Sequence, residues 1–235
     1  MKLLVNKLMK KFETKEVLKG ATFTFEQGKI YGLIGRNGAG KTTFFNCLNE
    51  DIKVDSGTYE IEENGITRPV TSDDMGYVLS TPVVPEFLTA REFLKFFIDI
   101  NKNKIEDVKT IDEYLDFMQI GPEDRDKLLK DFSHGMKNKM QMLVNFIANP
   151  AIILLDEPLT SFDVIVADEM KQLLRKLKKD HIIIFSTHIM ELALDLCDDI
   201  VILNNGILEE VAKDNLDNTQ YKDKIIAALK GEEDD

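Results

Sequence analysis

The residues best suited to chemistry are Gly35-Arg-Asn-Gly-Ala-Gly-Lys-Thr-Thr43, which have the types and spacing to grip a polyphosphate. Backbone N–H groups can converge on phosphate oxygens only where side chains leave room, and Gly35, Gly38 and Gly40 clear that approach. Lys41 brings a cation to the outer phosphates and Thr42 a hydroxyl for Mg²⁺. Two more groups of this kind follow apolar runs: Asp156 and Glu157 after Ala151–Leu155, and Thr187-His188 after His181–Ser186. A carboxylate at a strand tip suits a hard cation, so Asp156 reads as a Mg²⁺ ligand. Glu157 is placed to take a proton from an attacking water, a helix N-cap being the plainer use of such an acid pair. His188 reads as a donor to a terminal phosphate or as an ordinary histidine closing a strand. The chemistry implied is phosphate hydrolysis, in which positioning and charge stabilisation carry most of the catalysis.

These groups need a strand, a glycine loop and a helix in immediate succession. Ile30-Tyr-Gly-Leu-Ile34 supplies a buried strand before the loop, and Phe44-Phe-Asn-Cys-Leu48 has helical apolar spacing after it. The helix would also turn the favourable end of its dipole toward the phosphates. The continuous apolar runs before Asp156 and His188 read as parallel strands covered on both faces. In an open parallel sheet, ligands bind beyond the carboxyl ends of the strands, so all three groups would converge on one crevice.

Leu3–Leu8 and Ala21–Phe25 alternate as half-buried strands do, and Phe12 between them is either a core residue or a flat platform for a purine ring. Asp55-Ser-Gly-Thr58 reads as a turn, followed by short strands at Thr58–Ile61 and Met75–Leu79. Thr89 and Glu92 form a capping-box pattern that opens a helix through Phe93–Ile98. A second helix runs through Ile111, Tyr114, Leu115 and Met118 and stops near Gly121-Pro122. Ser133 caps a third, with Met136, Met140, Leu143, Val144 and Ile147 on its apolar face and Asn149-Pro150 as its end. A further helix carries Met170, Leu173, Leu174 and Leu177, and Asn205-Gly206 marks a hairpin.

A chain of 235 residues can bury a full core. Its net charge of −12 argues against bulk electrostatic binding of nucleic acid or a polybasic hold on lipid. The two cysteines, Cys47 and Cys197, sit in helix-like apolar patterns without metal or redox spacing and read as buried thiols. No stretch reaches the length of a membrane span, and Met1-Lys-Leu-Leu leads into strand-like sequence rather than a signal peptide. The expectation is a protein made and kept in the cytosol.

Over nearly its whole length the chain resembles the nucleotide-binding subunits of ATP-binding-cassette (ABC) transporters. Gly35 to Thr43, with Asn37 and Ala39, matches the Walker A motif. Phe132-Ser-His-Gly-Met136 stands where the signature belongs, and Ile152–Glu157 matches Walker B with its catalytic glutamate. Asp163 matches the D-loop aspartate, His188 the switch histidine, and Phe12 falls where an adenine-stacking aromatic is placed. The resemblance implies an α/β fold. Its P-loop NTPase core has a mostly parallel sheet, an N-terminal antiparallel β subdomain and an inserted α-helical subdomain. The core would span about 1–85 and 136–225 and the helical lobe about 86–135, with an acidic tail at 231–235.

Two such domains, identical or not, would close head to tail on two molecules of ATP with Mg²⁺. Each ATP would lie between the Walker A loop of one chain and Ser133 and Gly135 of the other. Closure and reopening would drive a separate polytopic membrane permease, with the cassette peripheral on the inner face of the cell membrane. Ser80 stands where the family has a glutamine near the metal, and is too short to reach Mg²⁺ and the attacking water in the same way. His134 and Met136 replace the signature's usual glycine and glutamine, and Phe162 replaces a smaller aliphatic. The Ser-x-Gly-Met form resembles the subgroup serving exporters of drugs, peptides and bacteriocins. Two other classes share the phosphate loop: a soluble cassette of an iron–sulfur-type assembly system, and a P-loop kinase, which would have no use for Ser133.

Overall fold

The computed structural model describes residues 1–105, 108–159, 162, 164–211 and 218–230. The chain opens with β1 (Lys2–Phe12) and β2 (Lys15–Glu26), then β3 (Ile30–Ile34) and α1 (Lys41–Leu48). Three strands follow, β4 (Ser56–Glu63), β5 (Ile66–Pro69) and β6 (Met75–Val78). Next come α2 (Ala90–Asn101), α3 (Ile111–Phe117) and α4 (His134–Ala148). Strands and helices then alternate through β7 (Ile152–Asp156), α5 (Val164–Leu177), β8 (Ile182–Thr187), α6 (Met190–Leu196), β9 (Asp199–Asn204), β10 (Ile207–Val211) and α7 (Asn218–Lys230).

One sheet has the order β10-β9-β3-β8-β7-β6, parallel except for the β9–β10 hairpin. Its central strands β3, β7 and β8 are buried at every residue, which is why they read as unbroken apolar runs. Alternate side chains feed opposite layers. Tyr31, Leu33, Ile152, Leu154, Ile182 and Ile184 pack with Phe44 and Phe45 of α1 and with Leu3, Val5 and Phe25. Ile153, Leu155, Ile183 and Phe185 pack with Met140 and Leu143 of α4 and Leu174 of α5. The carboxyl ends of β3, β7 and β8 therefore lie side by side at one edge.

The second sheet, β2-β1-β4-β5, is antiparallel. Its first strand departs from simple alternation. Lys7 takes φ 47° and the register shifts between Val5 and Leu8, so a bulge brings Leu8 back to the core face. The expected turn at Asp55–Thr58 is already strand from Ser56 onward. Gly57 there has φ 91°, and a Cβ on it would lie 2.3 Å from the Lys7 carbonyl oxygen. Strand β5, exposed at all its residues on the sheet edge, carries no periodicity by which to read it.

The Thr89–Glu92 capping box opens α2 as its sequence indicates, and a second box, Thr110–Glu113, opens α3. Helix α3 stops at Phe117, short of Gly121-Pro122, because Gln119 turns left-handed at φ 53°. Asn149, at φ 50°, ends α4 as expected, and Asn205 and Gly206, both at positive φ, make the β9–β10 turn. Cys47 is buried and Cys197 half-buried, and burial pushes the Cys47 thiol up to about 11 and raises that of Cys197 as well. Among the described residues no helix is long and apolar enough to cross a membrane.

Candidate active site

The loop from Gly35 to Gly40 joins the end of β3 to the start of α1 and forms the floor of a pocket of about 470 Å³. Its glycines are required for different reasons. A Cβ on Gly35 would meet the Leu203 carbonyl oxygen of β9 at 2.8 Å. One on Gly40, which has φ 104°, would meet Val17 Cγ1 at 2.7 Å. Gly38 has open space around it but a φ of 80°. Gly35 and Gly40 thus let the loop pack against its own protein, a constraint separate from the approach of a phosphate. Within the loop the Ala39 N–H donates to the Arg36 carbonyl at 3.0 Å, and Phe44 N–H to Gly40 at 2.8 Å starts the helix.

Lys41 is buried, and its Nζ donates to the Gly35 and Arg36 carbonyls at 2.8 and 3.4 Å. Burial holds its pKa below the usual lysine value, while the Glu157 and Asp156 carboxylates oppose that shift. One residue on, Thr42 Oγ1 donates to Asp156 Oδ2 at 2.9 Å. The other oxygen of the buried Asp156 accepts from Ser186 Oγ, the residue in register beside it on β8. Ser186 also receives the Glu157 N–H, at 3.2 Å on its carbonyl and 3.1 Å on its Oγ. Glu157 has φ 51°, a left-handed turn directly beyond the strand end. Its Oε1 lies 2.8 Å from Nδ1 of the half-exposed His188.

The pocket therefore gathers Asn37, Gly38, Gly40, Lys41, Thr42 and Thr43 with Asp156, Glu157 and Ser80. Phe12, the last residue of β1, lines it with 43% of its surface exposed, so it is a wall of the pocket rather than a core residue. His188 reaches the group through Glu157. Ser133 and Gly135 are not brought into this pocket. Ser133 is exposed and caps α4 by accepting the Met136 N–H at 3.2 Å. Asp163 and the acidic tail lie outside the described residues.

Three residues of the site escaped the sequence reading. Ser186 becomes visible only once β7 and β8 are known to be neighbours in register. Lys15 and Val17 line the pocket from β2 because the β1–β2 pairing sets Lys15 opposite Phe12. The Thr42 hydroxyl and the Asp156 carboxylate are hard oxygen donors that fit Mg²⁺. Among the described residues no cluster of three or more His, Cys, Asp or Glu could hold a metal. Two protein oxygens suffice for such a site, because Mg²⁺ commonly keeps phosphate and water among its ligands.

The sequence profile described as ABC transporter matches residues 18–160. YcbN of Bacillus subtilis (strain 168), an uncharacterized ABC transporter ATP-binding protein, is 31% identical over 225 residues, spanning 92% of this chain and 72% of YcbN. An uncharacterized ABC transporter ATP-binding protein of Methanocaldococcus jannaschii is 34% identical over 207 residues, 87% of this chain and 75% of the relative. A solved ATP binding subunit of an ABC transporter superposes with a TM-score of 0.80 at 24% identity, covering 96% of this chain and 98% of its own. The chain belongs to the ABC transporter family. It is an ATP-binding-cassette ATPase domain, with the α/β P-loop fold of that class.

Proposed function

We propose that this chain is the motor subunit of a membrane exporter, closing on ATP against a second cassette and reopening after hydrolysis. The observation that carries the reading is the separation of two half-sites on one molecule. The phosphate loop and the ends of β7 and β8 form one pocket, while the Ser133 cap stands exposed outside it. An exposed N-terminus on the long helix α4 suits an anion that its own chain does not present. A solved structure of an ATP-binding cassette with this fold, TM-score 0.74 at 20% identity, is described as dimeric and bound to ADP and Pi.

In this reading Phe12 stacks on adenine, and Lys41 with the loop N–H groups of Asn37 to Thr43 holds the phosphates. Thr42 and Asp156 would hold Mg²⁺, with Ser80 in the same pocket, and the metal would supply positive charge against the phosphate oxygens. Glu157 accepts the proton of the attacking water, and His188 orients Glu157 and donates to the terminal phosphate. Ser133, Gly135 and Asp163 serve the opposite chain. Exposed Val83, Phe87, Phe96 and Ile100 supply an apolar surface, in and beside α2, for a separate membrane permease. In this reading the cassette sits at the inner face of the membrane. The division into a core of about 1–85 and 136–225 and a helical lobe of about 86–135 gives the closing motion its two parts. Export, rather than uptake, rests on the Ser-His-Gly-Met form of the signature.

The test is ATP-dependent pairing. Glu157→Gln protein with Mg²⁺ and ATP should sediment as a dimer, alone or with a cognate cassette, while turnover falls by roughly 10² to 10⁴ and ATP affinity is kept. Ser133→Arg should abolish turnover without weakening ATP binding by the monomer. A Glu157→Gln protein that stays monomeric under all ATP conditions, with every candidate second cassette, would overturn the reading.

A further inference from the structure

Ser80 lines the nucleotide pocket at the end of β6, and one short loop later the chain reaches Glu86. Glu86 makes two contacts to the segment that carries the Ser133 cap. Its main-chain carbonyl accepts the Lys130 N–H at 3.1 Å, ahead of the cap. Its side-chain Oε1 accepts from Lys137 Nζ at 2.7 Å, beyond the cap. Lys137 belongs to the first turn of α4, where its own N–H donates to the Ser133 carbonyl at 2.9 Å. A single residue therefore holds both flanks of the turn.

We propose that Glu86 is a positioning residue, a strut that sets where the Ser133 turn stands relative to the Ser80 end of the pocket. The proposal rests on the shared-site reading of Ser133 given above. The neighbouring backbone makes the strut stiff. Leu129 N–H donates to the Leu88 carbonyl at 2.8 Å, Thr89 and Leu128 form an antiparallel bridge, and Arg91 N–H donates to Arg125 at 3.1 Å. Arg125 is itself buried, held by Asp112, Asp116 and the Ile120 carbonyl. The turn at Glu86 and the residues just after it are thus stitched to the approach to the signature. The Lys137 side chain is 17% exposed and that of Glu86 64%, so the pair adds little to global stability. Its consequence is local: it fixes the first turn of α4, whose N–H groups the opposite chain's phosphate would meet.

The experiment is a charge-reversal cycle, Glu86→Lys, Lys137→Glu and both together, in the full chain. Turnover at saturating ATP, ATP affinity of the monomer, thermal unfolding, and dimer formation in the Glu157→Gln background are read for each. Either single reversal should lower turnover and weaken the ATP-trapped dimer by roughly fivefold or more, the value of breaking one such pair and setting like charges together. Monomer ATP affinity should stay within about twofold in all three, and the double reversal should regain most of the loss. Singles with unchanged turnover, or losses that the double reversal does not restore, would overturn the proposal. Ser133→Arg, run alongside, separates the two ideas: if it retains full turnover, the shared-site reading fails before the strut is tested.

Discussion

Ser186→Ala isolates the part of the site that holds Asp156. Asp156 is 2% exposed, and its carboxylate accepts from Ser186 Oγ on Oδ1 and from Thr42 Oγ1 on Oδ2 at 2.9 Å. Ser186 is fully buried, so water does not readily replace its hydroxyl. Glu157 N–H keeps the Ser186 carbonyl as an acceptor and loses only the Oγ contact, a minor effect. The loss is then that of one hydrogen bond to a buried charged group, about 1.5–3 kcal/mol. In a chain of this length that corresponds to roughly 3–12 °C in Tm. Thr42→Val is the contrasting change, because Thr42 is exposed: it should barely move the Tm of nucleotide-free protein and should weaken binding of Mg²⁺ with ATP. The assay is thermal unfolding of both variants without nucleotide, paired with a Mg²⁺ titration of ATP binding. A Tm for Ser186→Ala within about 1 °C of the parent, or the two effects appearing in reverse order, would refute the reasoning.

Three other changes probe separate parts of the fold and site. Arg68 grips Asp74 through two bonds of 2.7 and 2.6 Å, and with Thr71 it holds the Asp74 carboxyl down at about 2. Because the folded value lies below the unfolded one, this stability is present above about pH 4 and lost as pH falls toward 2. Arg68→Ala, discounted for the half-exposed guanidinium, should remove on the order of 1–2 kcal/mol at pH 7 and flatten the acid limb of a urea-unfolding series. Gly57→Ala must find room for a methyl 2.3 Å from the Lys7 carbonyl oxygen at φ 91°, so it should cost more than about 2 kcal/mol by chemical denaturation. His188→Ala should lower phosphate release by about 10²-fold or more with ATP affinity nearly unchanged, since the ring acts from beside Glu157. Equal loss of binding and turnover would move His188 into the binding role instead.

What could be read without coordinates divides by the range of the interaction that carries it. The phosphate loop, the Thr89–Glu92 capping box, the Asn149 stop and the Asn205-Gly206 turn are set by residues a few positions apart, and each appears where its local chemistry puts it. Asp156 and His188 were legible because a doubly buried parallel strand is an unbroken apolar run, and its end marks the sheet edge where ligands meet. Ser186 closes an equally apolar run, yet its role follows only from standing beside Asp156 across a strand pair formed by distant segments. The same holds for Gly57, whose glycine is demanded by the Lys7 bulge of another strand, and for Lys15 and Val17, carried to the pocket by a hairpin. Ser133 goes one step further. Its place as a helix cap is local and was legible, but it does not line the pocket of its own chain, so the role proposed for it requires a second chain. Glu86 sits between these cases: it joins the pocket's own wall to that outward-facing turn, and neither end of its span is marked in the residues around it.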